Sequence, residues 1–565
     1  MDKKDNKLNL ILSISGAVLL WAVLALLFDF FYDLNDDVLI KDIIAGIYTG
    51  SPDAHNNQML YPISLIFAGL YRITDRVPWF GLIQIIGMMV SFAVIACRVC
   101  GMIRRLQYRI AYIITQMIVF AGLMMWEIVN VQYTVVAGIL TTAAAVWLYT
   151  GDGVGASEEN SEKVRATYSE MGAFVRRNIP AIILTVIAFN IRSELVLLLS
   201  PLLAATAIAK WSEEERKKDA FVTCGYLGVF LSICMLMLCG LGADRAAYSS
   251  PEWKEYRRFF DARTDVYDFT GVPDYDENKE FYLSAGITEE QVRLLTEYNY
   301  YLDESIDADM LETIAAGVKS GRAVGRSTYS KTIREAIWEY VHNAIRIMST
   351  DSGDPTERIF ADETGQHAGF NLVVIILYLA IIITGILKKD MSFAVKIPVF
   401  LVFRSIPWIY VYLQGRVLSR ITHPLYILEI MVLVSILIRG VVPEGETTGA
   451  DRLLSAFAFA AAGFMVIISA VMLPVRYDYI KASAEERAAA NLEYAGMIDT
   501  VVSHPDTYYY IDTYSTVDAT EKIFGQERIS KKNMQLLGGW MGNSPLDKAK
   551  QNAYDKSEVI LTNND

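Results

Sequence analysis

The chain has 565 residues, 53% hydrophobic and only 20% charged, with a mean hydropathy of +0.29, more apolar than a water-soluble domain needs. A formal net charge of -13 argues against nucleic acid as a partner, which would call for a basic stripe. The five cysteines (Cys97, Cys100, Cys224, Cys234 and Cys239) lie in or beside apolar runs, which argues against a disulfide framework or zinc site and makes them small core residues.

The apolar residues fall in long runs rather than at helical or strand spacing, and this assigns the chain to the membrane class. The N-terminal run has a basic start, but it is long for a signal peptide and lacks a small-x-small exit before Asp29. It is predicted to be an uncleaved first span. Candidate spans are 8–28, 79–101, 108–126, 131–150, 221–242, 369–387, 393–413, 424–439 and 453–473. The stretch 179–209 is interrupted at Asn190-Ile191-Arg192-Ser193-Glu194. Both its flanks are basic, so a pair of short helices of about 11–15 residues each, or about 16–22 Å, is predicted to meet at the interruption. The predicted fold is an all-α polytopic transmembrane bundle, with nine clear spans plus one broken helix pair.

Basic residues cluster at Lys3–Lys7, Arg98–Arg109, Lys163–Arg177, Lys210–Lys218, Lys388–Lys389 and Arg439–Arg452. Alternating sides puts all of them in the cytoplasm, together with the N-terminus. The polar regions 29–78, 243–368 and 474–565 then lie outside. The expected organisation is an N-terminal transmembrane half over 1–242, a large external loop over 243–368, a C-terminal transmembrane half over 369–473 and a small external α/β domain over 474–565. The tail is given strands at 507–515 and 557–563 and a helix over 484–498. Leu60–Ile73 is too short to span and reads as an interfacial helix, with Tyr61 and Tyr71 suited to the headgroup region.

Four clusters carry chemistry-bearing residues. Asp33, Asp36 and Asp37 follow the first span; crowded carboxylates there either act as a general base toward a hydroxyl or form the acidic start of a helix. His55 follows Asp53 and precedes two asparagines, a pattern common in surface turns. Arg192 and Glu194 sit at the helix break, where ionisable groups mark a functional site or a mutual ion pair that holds the break. Arg416, Arg420 and His423 lie in a short outer connection, where the arginine fork suits a lipid phosphate or ordinary headgroup contact. A divalent cation beside Asp36 and Asp37 is compatible with the pattern, but no further ligand spacing supports one.

Taken in order, LNDDVLIKD, HNNQMLYPISLIFAGLYR, IAFNIRSELVLLLSP and GRVLSRITHP resemble the acidic loop, surface helix, broken helix and late arginine segment of the GT-C superfamily of membrane glycosyltransferases, such as protein O-mannosyltransferases and aminoarabinose transferases. The resemblance covers the architecture of 1–475; the family's His-Pro-Pro form is absent, with only His55 and Pro62 in its place. It implies an inverting transfer of a sugar from a polyprenyl-phosphate donor to a glycan, lipid or protein acceptor at the outer face of the cell membrane. By that resemblance Asp36 or Asp37 is the base and Arg416, Arg420 and Arg192 hold the leaving phosphate. The alternative is a component of glycan export, flipping or polymerisation without this activity.

Overall fold

The computed structural model describes residues 3–154, 168–325, 332–345, 368–390, 392–441, 449–525, 529–554 and 558–561. In chain order the first half comprises α1 (Lys3–Leu27), β1 (Phe31–Tyr32), α2 (Asn35–Ala45), α3 (Tyr61–Ile73), α4 (Trp79–Met102), α5 (Leu106–Val129), β2 (Asn130–Val131), α6 (Tyr133–Thr150), α7 (Tyr168–Arg177), α8 (Ile179–Ile191), α9 (Ser193–Ser212) and α10 (Ala220–Ala247). The connecting segment holds α11 (Pro251–Thr264), α12 (Lys279–Ala285), α13 (Glu289–Thr296), α14 (Ala308–Lys319) and α15 (Ile333–Ala344). The second half holds α16 (Ala368–Lys388), α17 (Ser392–Leu413), α18 (Ser419–Val441), α19 (Gly449–Ser503), β3 (Tyr508–Ile511), β4 (Met534–Leu536), α20 (Pro545–Asn552) and β5 (Glu558–Leu561).

Among the described residues, ten helices are long and apolar enough to cross a bilayer, and the chain is an all-α, multi-pass membrane protein. Leucine, isoleucine and phenylalanine remain exposed on helices such as α1 and α10, as expected where the solvent is hydrocarbon rather than water. The centre of the bundle is α6 and α18, whose apolar windows are 83% and 89% buried. Helix α6 packs on α4, α8, α9 and α18. Close approach to α18 needs Gly138, because a Cβ there would lie 2.5 Å from the Pro424 Cβ. Small residues at such crossings let helices gain van der Waals contact where no hydrophobic effect drives them together. Inside the bundle, Arg404 of α17 donates to Glu429 of α18 at 2.7 Å, and Tyr378 of α16 donates to the same carboxylate at 2.8 Å. A buried ion pair stays tolerable only with its remaining lone pairs satisfied in this way.

The interrupted stretch breaks at Arg192, whose backbone is extended (φ -151°, ψ 93°). Its two halves are unequal, which corrects the expectation of two short helices. Helix α9 runs for 20 residues and is long enough to cross alone, because Lys210, Trp211 and Ser212 continue it rather than ending it. Helix α8 has 13 residues and passes as a span only together with α7, from which it bends by 50°.

Three further expectations are corrected. Helix α19 runs on through Pro474 for 55 residues, about 80 Å at 1.5 Å per residue, so the expected boundary at 473 falls inside a helix. Helix α18 starts at Ser419, so Arg420 and His423 belong to its first turns and not to the connection. Tyr71 is buried and accepts the Phe80 N–H at 3.1 Å, so it packs inside rather than facing headgroups.

The C-terminal segment folds into a parallel sheet of order β4-β3-β5, with β4 not foreseen. The α11–α14 segment has its own core around Val266, Leu295, Leu311 and Ile314. Helix α15 is opened by a capping box between Thr332 and Glu335. Gly138→Ala is expected to lower stability by about 1–3 kcal/mol through overpacking, seen as a lower thermal midpoint in nanodiscs. Gly69→Ala, where nothing lies within 4 Å of the added carbon, is expected to leave the midpoint in place.

Candidate functional site

Three backbone segments fix the acidic run as it leaves α1. Strand β1 pairs in parallel with β2, Phe31 opposite Asn130 and Tyr32 opposite Val131. On its other edge Phe31 bridges to Lys522, the Tyr32 N–H donates to the Glu521 carbonyl at 3.0 Å, and the Ile523 N–H donates to the Phe30 carbonyl at 2.8 Å. The region 29–78 and the C-terminal segment, expected to be separate, are therefore hydrogen-bonded to each other.

Helix α2 starts with Asp36 and Asp37 in its first turn, where the helix dipole favours negative charge. Neither carboxylate caps this helix; the capping position is Leu34, which makes no side-chain bond. The two side chains diverge instead. Asp37 is fully buried and accepts the Tyr133 N–H that opens α6, at 3.1 Å. Asp36 is half-buried and accepts the Trp540 indole N–H at 2.8 Å.

Burial drives the Asp37 carboxyl well above the usual range; the Tyr133 N–H and Arg420 pull it back, and Asp33 and Asp36 push it further up. Burial also raises Asp33 to about 6, against Arg487 and Arg420, with Glu127 adding to the rise. Burial, more than the crowding of charge, thus favours the protonated form of Asp37, and that of Asp33 below about pH 6.

The cations come from three other places. Arg192, at the α8–α9 break, donates to the Gln58 side-chain oxygen at 3.0 Å. That oxygen also accepts the Tyr133 hydroxyl at 3.1 Å. Glu194 lies 3.3 Å from Arg192 with its side chain 70% exposed, so the pair holds the break while facing outward. Asp36 and Asp268 both act on Arg192 electrostatically. Arg416 pairs with Asp268 at 3.0 Å, and Asp268 sits in a π-helical turn over Asp265–Thr270, a geometry frequent at functional sites. Arg420 is half-buried and lies near enough to Asp33 and Asp37 to act on both. Asp36, Asp37, Arg192, Arg416 and Arg420 are therefore brought to one end of the bundle, around Tyr133 and Gln58.

The two histidines stand apart. His55 bonds to Asp53 at 2.7 Å and packs among Tyr61, Tyr248 and Trp253, with ring centroids 4.7–4.9 Å away. The surface turn expected there is a packed aromatic cluster. His423 is buried, faces the Glu127 carboxylate and lies 4.6 Å from the Phe370 ring, so it belongs to the bundle interior and not to the arginine turn. Among the described residues no group of three or more His, Cys, Asp or Glu side chains converges as a metal centre.

Beside Asp36 lies a cavity of about 540 Å³ between α2 and the C-terminal segment. Its wall includes buried charges that sequence reasoning missed. Lys531 bonds to Asp42 at 2.8 Å and to Glu521 at 3.0 Å, and Lys41 pairs with the same two acids. Burial alone would raise Glu521, but Lys41 and Lys531 hold it down to about 2. Asp547 is raised by burial to about 6, and Lys550 is lowered by burial to about 8. Gln58, Tyr133, Asp268 and Trp540 were also missed, and no local motif marks any of them.

The chain matches no family model, and no curated protein or solved structure matches it.

An unfolded aspartate releases its proton near pH 4, whereas folded Asp33 keeps it to about 6. Its contribution to stability is complete below about pH 4 and is lost as pH rises to about 6, on the order of 2–3 kcal/mol. Thermal midpoints in nanodiscs at about pH 4.5 and about pH 7.5 are expected to diverge less in Asp33→Asn than in the unaltered protein.

Proposed function

We propose that the chain is a membrane glycosyltransferase that moves a sugar from a polyprenyl-phosphate donor to an acceptor hydroxyl at the outer face of a membrane, with the N-terminus on the cytoplasmic side. What carries the reading is the meeting of acidic and basic clusters from distant segments at one end of the bundle. Asp36 links the two parts of that arrangement: it lines the cavity and acts on Arg192. The resemblance of the segments to the GT-C order points the same way.

In this reading Asp36 is the base. Its carboxylate takes the proton from the acceptor hydroxyl as that oxygen attacks the anomeric carbon. The bond from that carbon to the phosphate oxygen breaks, and the phosphate leaves with the electron pair and the polyprenyl chain. Displacement from the opposite face inverts the anomeric carbon. Arg420 and Arg416 offer planar forks to the developing phosphate charge, and Arg192 supports them from the helix break. Asp37, fully buried, is a positioning residue that ties α2 to the start of α6.

A transport or flippase role would favour charges lining a path through the middle of the bundle. One buried pair of the interior, Arg404 and Glu429, neutralises itself at 2.7 Å instead of offering charge to such a path.

With a polyprenyl-phosphate sugar donor, Asp36→Asn is expected to lower transfer by about 10²–10⁴-fold, with the protein still inserted and monodisperse. Asp37→Asn keeps an oxygen acceptor for the Tyr133 N–H and is expected to cost less. Arg420→Gln is expected to raise the KM for donor by at least about tenfold, the scale of a lost charge-assisted contact. Unchanged transfer in both Asp36→Asn and Arg420→Gln would refute the assignment.

A further inference from the structure

The cavity between α2 and the C-terminal segment is larger than packing requires. Its volume of about 540 Å³ lies within the range of sites that hold a small ligand. Three properties of its wall limit what that ligand can be.

The first is charge. Carboxylates and cations occur in equal number along the wall, and the buried ones are already neutralised by one another. Lys531 holds Asp42 and Glu521 at 2.8 and 3.0 Å, and Lys550 lies 3.9 Å from Asp547. An anionic or cationic ligand gains no net field here. An acyl chain would strip the charged groups set among the apolar ones of water without compensation.

The second is unspent hydrogen-bonding capacity. The Gln535 side-chain nitrogen and the Thr513 hydroxyl have no partner among the described residues, although Gln535 is 2% exposed and Thr513 3%. Both line the cavity. Buried polar atoms of this kind are costly unless something satisfies them.

The third is aromatic surface. Tyr48, Tyr494 and Trp540 share the wall, and such rings are amphipathic, with an apolar body and a polar tip. A neutral ligand with many hydroxyls and apolar C–H faces answers all three properties together.

We propose that this cavity binds a saccharide, the sugar end of the acceptor. The proposal rests on the transferase reading and names the acceptor class as glycan. Asp36 stands on the wall with one oxygen held by Trp540 at 2.8 Å, which leaves its other oxygen to meet a sugar hydroxyl. The second substrate would thus enter between α2 and the C-terminal segment, separately from the donor phosphate beside the arginines.

Binding can be read without donor or transfer. The full chain, in phosphatidylcholine nanodiscs free of glycoside detergent, would be titrated with lactose, maltose and N,N′-diacetylchitobiose by saturation-transfer-difference NMR. At least one of these probes is expected to give a saturable signal. Ala495→Trp adds bulk at an exposed helical position on the cavity wall and is expected to weaken that binding at least tenfold. Leu492→Trp, on the same helix, 76% exposed and off the wall, is expected to leave it intact. No saturable signal with any probe, or equal binding in Ala495→Trp, would overturn the proposal. Either result leaves the Asp36→Asn and Arg420→Gln transfer assays to decide the donor chemistry separately. Loss of the transferase reading with saccharide binding intact would remove only the acceptor role.

Discussion

The hydrogen bond from the Tyr133 N–H to Asp37, at 3.1 Å, is the contact on which the arrangement of this protein depends. It places a carboxylate from the first loop at the N-terminus of the most enclosed span but one among the described residues. There the Gln132 side chain caps the Thr134 and Val135 N–H groups at 2.7 and 3.1 Å, and Asp37 answers the remaining Tyr133 N–H beside the positive end of the helix dipole. In return Asp37 is taken wholly out of water, and its neighbours must adapt. Asp36 turns the other way, toward Trp540, and Asp33 is pushed toward its neutral form. One buried acid thus sorts three crowded carboxylates into different environments, which is how a site obtains acids of different character from similar residues.

The same contact explains why the C-terminal segment matters to a site built from the first loop. Strand β1 has only two residues and would be marginal alone. It is held between β2 and the chain around Lys522, and the salt-bridged quartet Lys41, Asp42, Glu521 and Lys531 clamps α2 to the same segment. Exposed ion pairs contribute little, but these side chains are mostly buried. Removing one partner would strand the others in low dielectric, a cost of several kcal/mol. The quartet therefore specifies where the segment sits more than it adds stability.

What could be read from the sequence follows from what lipid demands. Long apolar runs cannot hide in hydrocarbon, so the helices were legible, and an arginine and a glutamate inside one run marked the break at Arg192 because charge there is expensive. Acid before an apolar stretch gave away the start of α2. The reading failed where lipid changes the rules of water. Pro474 and Arg476 look like the end of a span, yet a membrane helix tolerates proline when neighbours satisfy the freed carbonyl, and α19 continues. Likewise His423-Pro424 looks like a turn but lies inside α18, where Pro424 fills the space left by Gly138. Gln58, Tyr133, Asp268 and Trp540 were illegible for a different reason. Each is ordinary in its own segment and acquires a role only through a partner 75 or more positions away.

The two helix breaks near the site share a physical logic. At Arg192 the chain leaves the helix for one extended residue, and at Asp265–Thr270 it widens into a π turn; both expose backbone groups and project a charge toward the same space. A regular helix end would point its charges along its own axis. These irregular ones let Arg192 reach Gln58 and let Asp268 reach Arg416, so cations from two separate connections are held while still partly exposed. Arg416 is answered by Asp268 and Arg192 by Glu194, each through a side chain that remains partly in water. Such pairs are weak enough to exchange for a phosphate, whereas the buried Arg404–Glu429 pair is not. The ion pairs are therefore divided by depth: the Arg404–Glu429 pair is fixed inside the bundle, and those of Arg416 and Arg192 at one end stay partly in water.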